Sequence, residues 1–271
     1  MRKAFLTILA LLTLLSCSSG DRNIDNLSAV SLIAHAGGAV DGVSMTNSYE
    51  ALCAARDNGY KYIELDLLLT SDSVLVAMHD WAGYNAAMGN SERGDMAPTF
   101  AELQSQGLPG DRTLLTHTDI NDFFLANDSL FFVTDKISSP SLLDKYFPQL
   151  RSRMVVEAFS YNDYVALQER GYGYVSYSCM ADDVATASLK HILFHFLFPG
   201  KRIDSLALHT SAFDYGYVKL LLALFDFEIS LFTVNNVSEI PQKAFHGLKF
   251  MYTDSLLPGN IKRQLTISDK E

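Results

Sequence analysis

YIELDLLLTSDSVLVAMHD, residues 62–80, holds two strand-like runs joined by only four residues, TSDS. A parallel crossover takes about a dozen residues or more, so these two runs must pair as an antiparallel hairpin. That reading settles the count of the rest. Strand-like runs of β-branched, aromatic and aliphatic residues occur at 31–37, 62–69, 74–80, 130–137, 153–160, 174–180, 205–211, 228–234 and 248–254. Helical patterns lie between most of them, at 47–59, 141–150, 161–171, 183–198, 215–226 and 237–247. Strand alternating with helix predicts a parallel sheet. With one run absorbed by the hairpin, eight βα units remain, which predicts a single-domain α/β (β/α)8 barrel with an extra hairpin after the second strand. An open doubly wound sheet is the competing arrangement, and the absence of a glycine-rich fingerprint after the first strand counts against it.

The bulk properties narrow the function. Hydrophobic residues make up 48% of the 271, enough for a sizeable core, and the formal charge is -10. That acidity and the lack of any basic run exclude nucleic acid as a partner, since phosphate backbones are bound by clustered Lys and Arg. The first residues, MRKAFLTILALLTLLSC, have a basic start and an apolar run too short to span a bilayer. They read as an export signal. Its end, LLSC, resembles a bacterial lipoprotein signal, with Cys17 as the lipidated residue. The predicted organisation is a signal at 1–16, a polar tether at 17–28, the barrel at 29–260 and a tail at 261–271. A cell-envelope location with a lipid anchor in the membrane follows as an expectation. Cys53 and Cys179 sit in apolar contexts and read as buried thiols. Residues 81–117 read as an irregular insertion at the rim.

In such a barrel the working residues gather at the C-terminal ends of the strands. Those ends offer His35, Glu64, Asp66, His79, Asp80, Asp135, Lys136, Glu157, Ser160, His209, Asn235 and Asp254. Glu64 and Asp66 are two apart and share a face. Adjacent carboxylates repel by roughly 4 kcal/mol at 4 Å in a surface-like dielectric, so a cation is expected between them. An all-oxygen set points to Ca²⁺ or Mg²⁺, with Asp135 as a third ligand. Without other signals, Glu64 and Asp66 would read as solvated strand acids, and each histidine as a core residue. Two strand-end histidines beside the acids, His35 and His79, supply one base and one acid. Gly37 and Gly38 would let the backbone pass close to a bound phosphate. His191 and His195, four apart in an apolar pattern, read as packing. His209 and Trp81 are candidate substrate contacts.

The set IAHAGG, TNSYEAL, YIELDLLLTSDSVLVAMHDW, VEAFS, LFTVNN and MYTDSLLP, spanning about 32–258, resembles the glycerophosphodiester phosphodiesterase family. The resemblance implies a (β/α)8 fold, a divalent cation, catalytic histidines at His35 and His79, and metal ligands at Glu64 and Asp66. It implies a small-molecule phosphodiester bearing a glycerol-like alcohol as substrate, with Lys136 and Asn47 on the substrate side. Three departures stand out. Ala36 occupies the place of the family's phosphate-binding arginine, and Thr46 that of a glutamate. VTDKI replaces the family's Glu-x-Lys, so either Thr134 or Asp135 takes the metal position; Asp135 is the better oxygen donor. These departures keep open a weakly active or non-catalytic binding barrel, and a phospholipase or wall-polymer diesterase on the same fold.

Overall fold

The computed structural model describes residues 30–179, 203, 205–214, 218, 222, 227–241, 244 and 247–259. The segments expected to be signal (1–16), tether (17–28) and tail (261–271), with Cys17, and also His191 and His195, lie outside the described residues. Nine strands run through the described chain: β1 (Ser31–Ala34), β2 (Tyr62–Leu69), β3 (Leu75–Ala77), β4 (Phe131–Asp135), β5 (Met154–Ala158), β6 (Tyr174–Cys179), β7 (Ser205–His209), β8 (Glu228–Phe232) and β9 (Leu248–Thr253). Eight of them pair in parallel in the order β1-β2-β4-β5-β6-β7-β8-β9, and β9 pairs with β1 to close the barrel. Among the nine strands β3 pairs with β2 alone, antiparallel, with Leu67 opposite Ala77, and Val76 makes a single antiparallel bridge to Thr116. This is the hairpin that the four-residue link demands.

Alternation divides each strand between two cores. Ile63, Leu65 and Leu67 of β2, Phe132 of β4 and Met154, Val156 and Ala158 of β5 face the outer core. There they meet Leu52 of helix α1 (Tyr49–Asp57) and other helix residues. Ile33, Val133, Val155, Phe250 and Tyr252 fill the barrel interior. Glu64 and Asp66 therefore point inward, because their odd-numbered neighbours take the outer face. A leucine lost from the outer core costs about 2–5 kcal/mol, so this division is strongly enforced.

The stretch 81–117 is more ordered than its composition suggests. It contains α2 (Trp81–Ala87) and α3 (Phe100–Gln106), and a third helix, α4 (His117–Ala126), follows. Both short helices are held by their N-caps. Asp80 accepts from the Gly83 amide, and Thr99 with Glu102 forms a capping box. Trp81, Tyr84, Met78, Val76, Leu103 and Leu108 make a small core of their own. Seven-residue helices are too short to leave a clear periodic signal in the sequence, which explains the different expectation. Beyond them lie α5 (Pro140–Tyr146) and α6 (Tyr161–Glu169), each following its strand.

Candidate active site

Parallel pairing sets Asp66 of β2 opposite Asp135 of β4. One carboxylate oxygen from each of Glu64, Asp66 and Asp135 lies within 4.8 Å of the others. Glu64 and Asp66 are each only 1% exposed. The register puts Thr134 opposite the outward-facing Leu65, so Asp135, not Thr134, occupies the inward place. The strand ends at Asp135. Lys136 then takes a positive φ of 68°, which swings its side chain back toward the mouth. Its Nζ lies 3.8 Å from both Asp66 and Asp135. Adjacent residues of a continuous strand would face opposite ways, and the end of β4 at Asp135 is what lets Lys136 share the cluster with it.

The surroundings orient each acid. The Ala36 amide donates to Glu64 Oε2 at 2.7 Å, while Glu64 Oε1 is buried with no hydrogen-bond partner. Ala36 itself has φ 48°, part of a tight turn (His35–Gly37) that aims the amide inward. Asn47 grips Asp66 twice: its Nδ2 donates to Asp66 Oδ2 at 2.9 Å, and its Oδ1 accepts from the Asp66 amide at 3.0 Å. Expected on the substrate side, Asn47 is thus committed to a buried carboxylate. Burial, with Asp66 and Asp135 adding repulsion, pushes the Glu64 carboxyl well above its ordinary range. Burial and Asp66 likewise raise Asp135. Glu157, inward on β5, is pushed up to about 8 by burial and by Asp135, against the Tyr252 and Ser178 hydroxyls that temper the rise.

These residues fit a hard divalent cation. Three carboxylates converge, an oxygen of the deepest one has no partner, and the donors are all oxygen.

Both histidines adjoin residues tied to this cluster: Ala36, next to His35, donates to Glu64, and Met78, next to His79, donates to the Asp66 carbonyl. His35 closes β1, and its Nδ1 lies 2.9 Å from Asp254 Oδ1. An ionised carboxylate can only accept, so Nδ1 donates and Nε2 is left free. Asp254 in turn accepts from Asn235 Nδ2 at 2.8 Å. Burial would raise Asp254, but the His35 and Asn235 hydrogen bonds outweigh it and hold this carboxyl below its usual range. The hairpin brings His79 back to the mouth, where the Met78 amide donates to the Asp66 carbonyl. His79 Nδ1 donates to Asp80 Oδ2 at 2.6 Å. The Gly83 amide and His79 together keep Asp80 below the usual carboxylate range. Both imidazoles therefore have a carboxylate on Nδ1 and a free Nε2. The His35 charge helps to lower the Asp135 carboxyl, and the Lys136 charge helps to lower that of Asp80.

Other residues singled out in the sequence fall as follows. His209 ends β7, exposed, with its Nδ1 against Ser211 Oγ and its ring 5.7 Å from that of Phe232. Trp81 packs in the small core of the 81–117 segment, edge-on to Tyr84. Cys53 is a free thiol packed against the outer core. Asp254, Asn235 and Glu157 appear in the sequence as strand-end residues within the stretches that carry the resemblance, with no role assigned. Barrel closure, which sets β9 beside β1, is what brings Asp254 to His35.

Residues 35–157 match the family model described as the Glycerophosphoryl diester phosphodiesterase family. No curated protein gives a significant match. Among solved structures, a glycerophosphodiester phosphodiesterase from Parabacteroides distasonis is 19% identical, with a TM-score of 0.60 over 90% of this chain and 99% of that one. A glycerophosphodiester phosphodiesterase from Thermotoga maritima is 17% identical, with a TM-score of 0.59 over 88% of this chain and 97% of that one. A phosphodiesterase from Oleispira antarctica, in complex with the product sn-glycerol-3-phosphate, is 20% identical, with a TM-score of 0.55 over 90% and 99%. At these identities the solved structures speak for the shared barrel. The matched segment carries all three converging acids and both imidazoles, so the similarity to the glycerophosphoryl diester phosphodiesterase family lies in the part of the chain that builds the site.

Proposed function

We propose that this chain is a cation-dependent hydrolase of glycerophosphodiesters, releasing an alcohol and glycerol phosphate. The observation that carries the reading is the pair of Asp-held imidazoles on segments whose backbone amides bond Glu64 and Asp66, two of the three converging carboxylates with Asp135. A Ca²⁺ or Mg²⁺ held by those three carboxylates supplies charge neutralisation at the phosphoryl oxygens. Lys136, at the rim of the cluster, adds a positive charge on the substrate side. His35 Nε2 takes a proton from the attacking water as the water oxygen forms the new bond to phosphorus. Asp254 keeps His35 in the tautomer that can do so and stabilises the imidazolium that results. His79 Nε2–H gives a proton to the leaving alcohol oxygen as the old P–O bond breaks. His79 is the more exposed of the two, 44% against 21%, which favours it for the acid role because solvent can reprotonate it. Glu64 and Asp66 are held in place by the Ala36 amide and Asn47, so little reorganisation accompanies the reaction. Export and lipidation at Cys17 are part of the same proposal and rest on residues 1–17.

Assay of the purified chain on glycerophosphodiesters tests the reading. His35→Ala and His79→Ala are each expected to lower kcat/KM by about 10²- to 10⁴-fold. EDTA is expected to abolish turnover and added Ca²⁺ or Mg²⁺ to restore it. Turnover that survives both substitutions and chelation defeats the mechanism.

A further inference from the structure

Glu157 has no part in the chemistry above, yet it sits where the chemistry is. Val155 faces the barrel interior while Met154, Val156 and Ala158 face the outer core, so Glu157 points inward. β4 and β5 pair through Val133–Val155 and Thr134–Val156. The same register carried one step further sets Asp135 beside Glu157, whose carboxyl feels the Asp135 charge. Asp66, Asp135 and Glu157 thus form one inward row across three adjacent strands, with Glu64 one layer deeper. Glu157 adjoins the mutual 4.8 Å group of Glu64, Asp66 and Asp135 without being a member of it. It is 5% exposed and pairs with no lysine or arginine among the described residues.

A barrel needing only to fill this space would be served by a glutamine or a leucine. A buried carboxyl beside another carboxyl is costly unless something positive compensates it. The neighbourhood contains further unsatisfied polar groups. The Ser178 and Tyr252 hydroxyls are buried beside Glu157 and make no close hydrogen bond other than their loose approach to its carboxyl, and Glu64 Oε1 has no hydrogen-bond partner at all. Lys136 is the one ammonium that approaches the acids among the described residues, and it faces Asp66 and Asp135.

We infer that Glu157 is an outer carboxylate of the cation site, a positioning residue that strengthens cation binding by its charge and through Asp135 without ligating the ion itself. The inference rests on the reading that Glu64, Asp66 and Asp135 hold a divalent cation. Its structural logic is that of the partners standing behind metal ligands, whose loss weakens affinity by about 10- to 100-fold.

Calorimetric titration of the full chain with CaCl₂ and with MgCl₂, paired with thermal midpoints in EDTA and in excess cation, tests it without an activity readout. Glu157→Gln, close in shape, is expected to weaken cation binding by about 10-fold or more and to shrink the cation-induced rise in Tm. Its midpoint in EDTA is expected to equal or exceed that of the wild type. Should the glutamine variant not fold, Glu157→Leu removes the same charge at similar volume and carries the same expectation. Glu157→Asp, which keeps the charge, is expected to stay within a few-fold of wild type. A Gln or Leu variant that binds as tightly as wild type overturns the inference while leaving the three-ligand site standing. A wild-type chain that binds neither ion overturns both.

Discussion

Asp254 illustrates how a single residue sets the chemistry of another. In the sequence it is marked as a strand end and as part of the MYTDSLLP stretch, with no role attached to it. Its 2.9 Å contact with His35 Nδ1 fixes which nitrogen faces the substrate. Asn235 is in turn fixed by Asp254, accepting from the Asp254 amide at 2.8 Å while donating to its Oδ2. Asp254→Asn keeps the shape but removes the charge that stabilises the His35 imidazolium. The expected outcome is a fall in kcat of about 10²-fold or more with KM little changed, read from steady-state kinetics. Asn47 is a second such case. The resemblance assigns it to substrate, whereas its amide closes on both the side chain and the backbone of Asp66. Sequence alone cannot separate these roles, because an asparagine at a strand-to-helix loop suits either.

At the level of elements, the turn after β1 is the tightest junction of the site. Gly37 has φ 85°, and a Cβ there would lie 2.6 Å from Ala51 Cβ on α1. A glycine is required both for the left-handed backbone and for the approach of the helix. Gly37→Ala is expected to destabilise the chain by about 1–3 kcal/mol, measured by denaturant unfolding. It should also slow catalysis, since the same turn carries His35 and the Ala36 amide that orients Glu64. The hairpin is the converse case, legible from the start. Four residues cannot cross over, so β2 and β3 must pair antiparallel, and the return of β3 delivers His79 to the mouth. The helical pattern at 237–247 fared differently: its described start is a single 3-10 turn (Val237–Glu239), followed by Pro241, which lacks a donor for a continuing helix.

For the molecule as a whole, the acidic mouth links stability to pH and to cation. Glu157 titrates near 8 in the folded chain against 4.5 for an ordinary glutamate, and Glu64 and Asp135 are raised as well. Between about pH 4.5 and pH 8 the unfolded chain has released a proton that the folded chain still holds. The metal-free protein is therefore expected to lose stability as pH rises through that window, by an amount on the order of a few kcal/mol. Asp254 works in the opposite sense, its contribution vanishing only as pH falls through its depressed value at the acid end. Unfolding in EDTA at a series of pH values checks this, and excess Ca²⁺ or Mg²⁺ is expected to flatten the profile by compensating the ionised carboxylates. A profile in EDTA that rises or stays level from pH 5 to 8 contradicts the crowding of acids at the mouth.

Local information in the chain was enough for the barrel, the hairpin and the inward pair Glu64 and Asp66, because strand period, link length and turn chemistry are properties of neighbours in sequence. The choice of Asp135 over Thr134 came from inter-strand register, and the bend that returns Lys136 to the cluster came from where β4 stops. The Asp254–His35 contact spans 219 residues and exists only because the first and last strands close on each other. Pairings at that separation depend on the shape of the whole barrel, which no short stretch of the chain encodes.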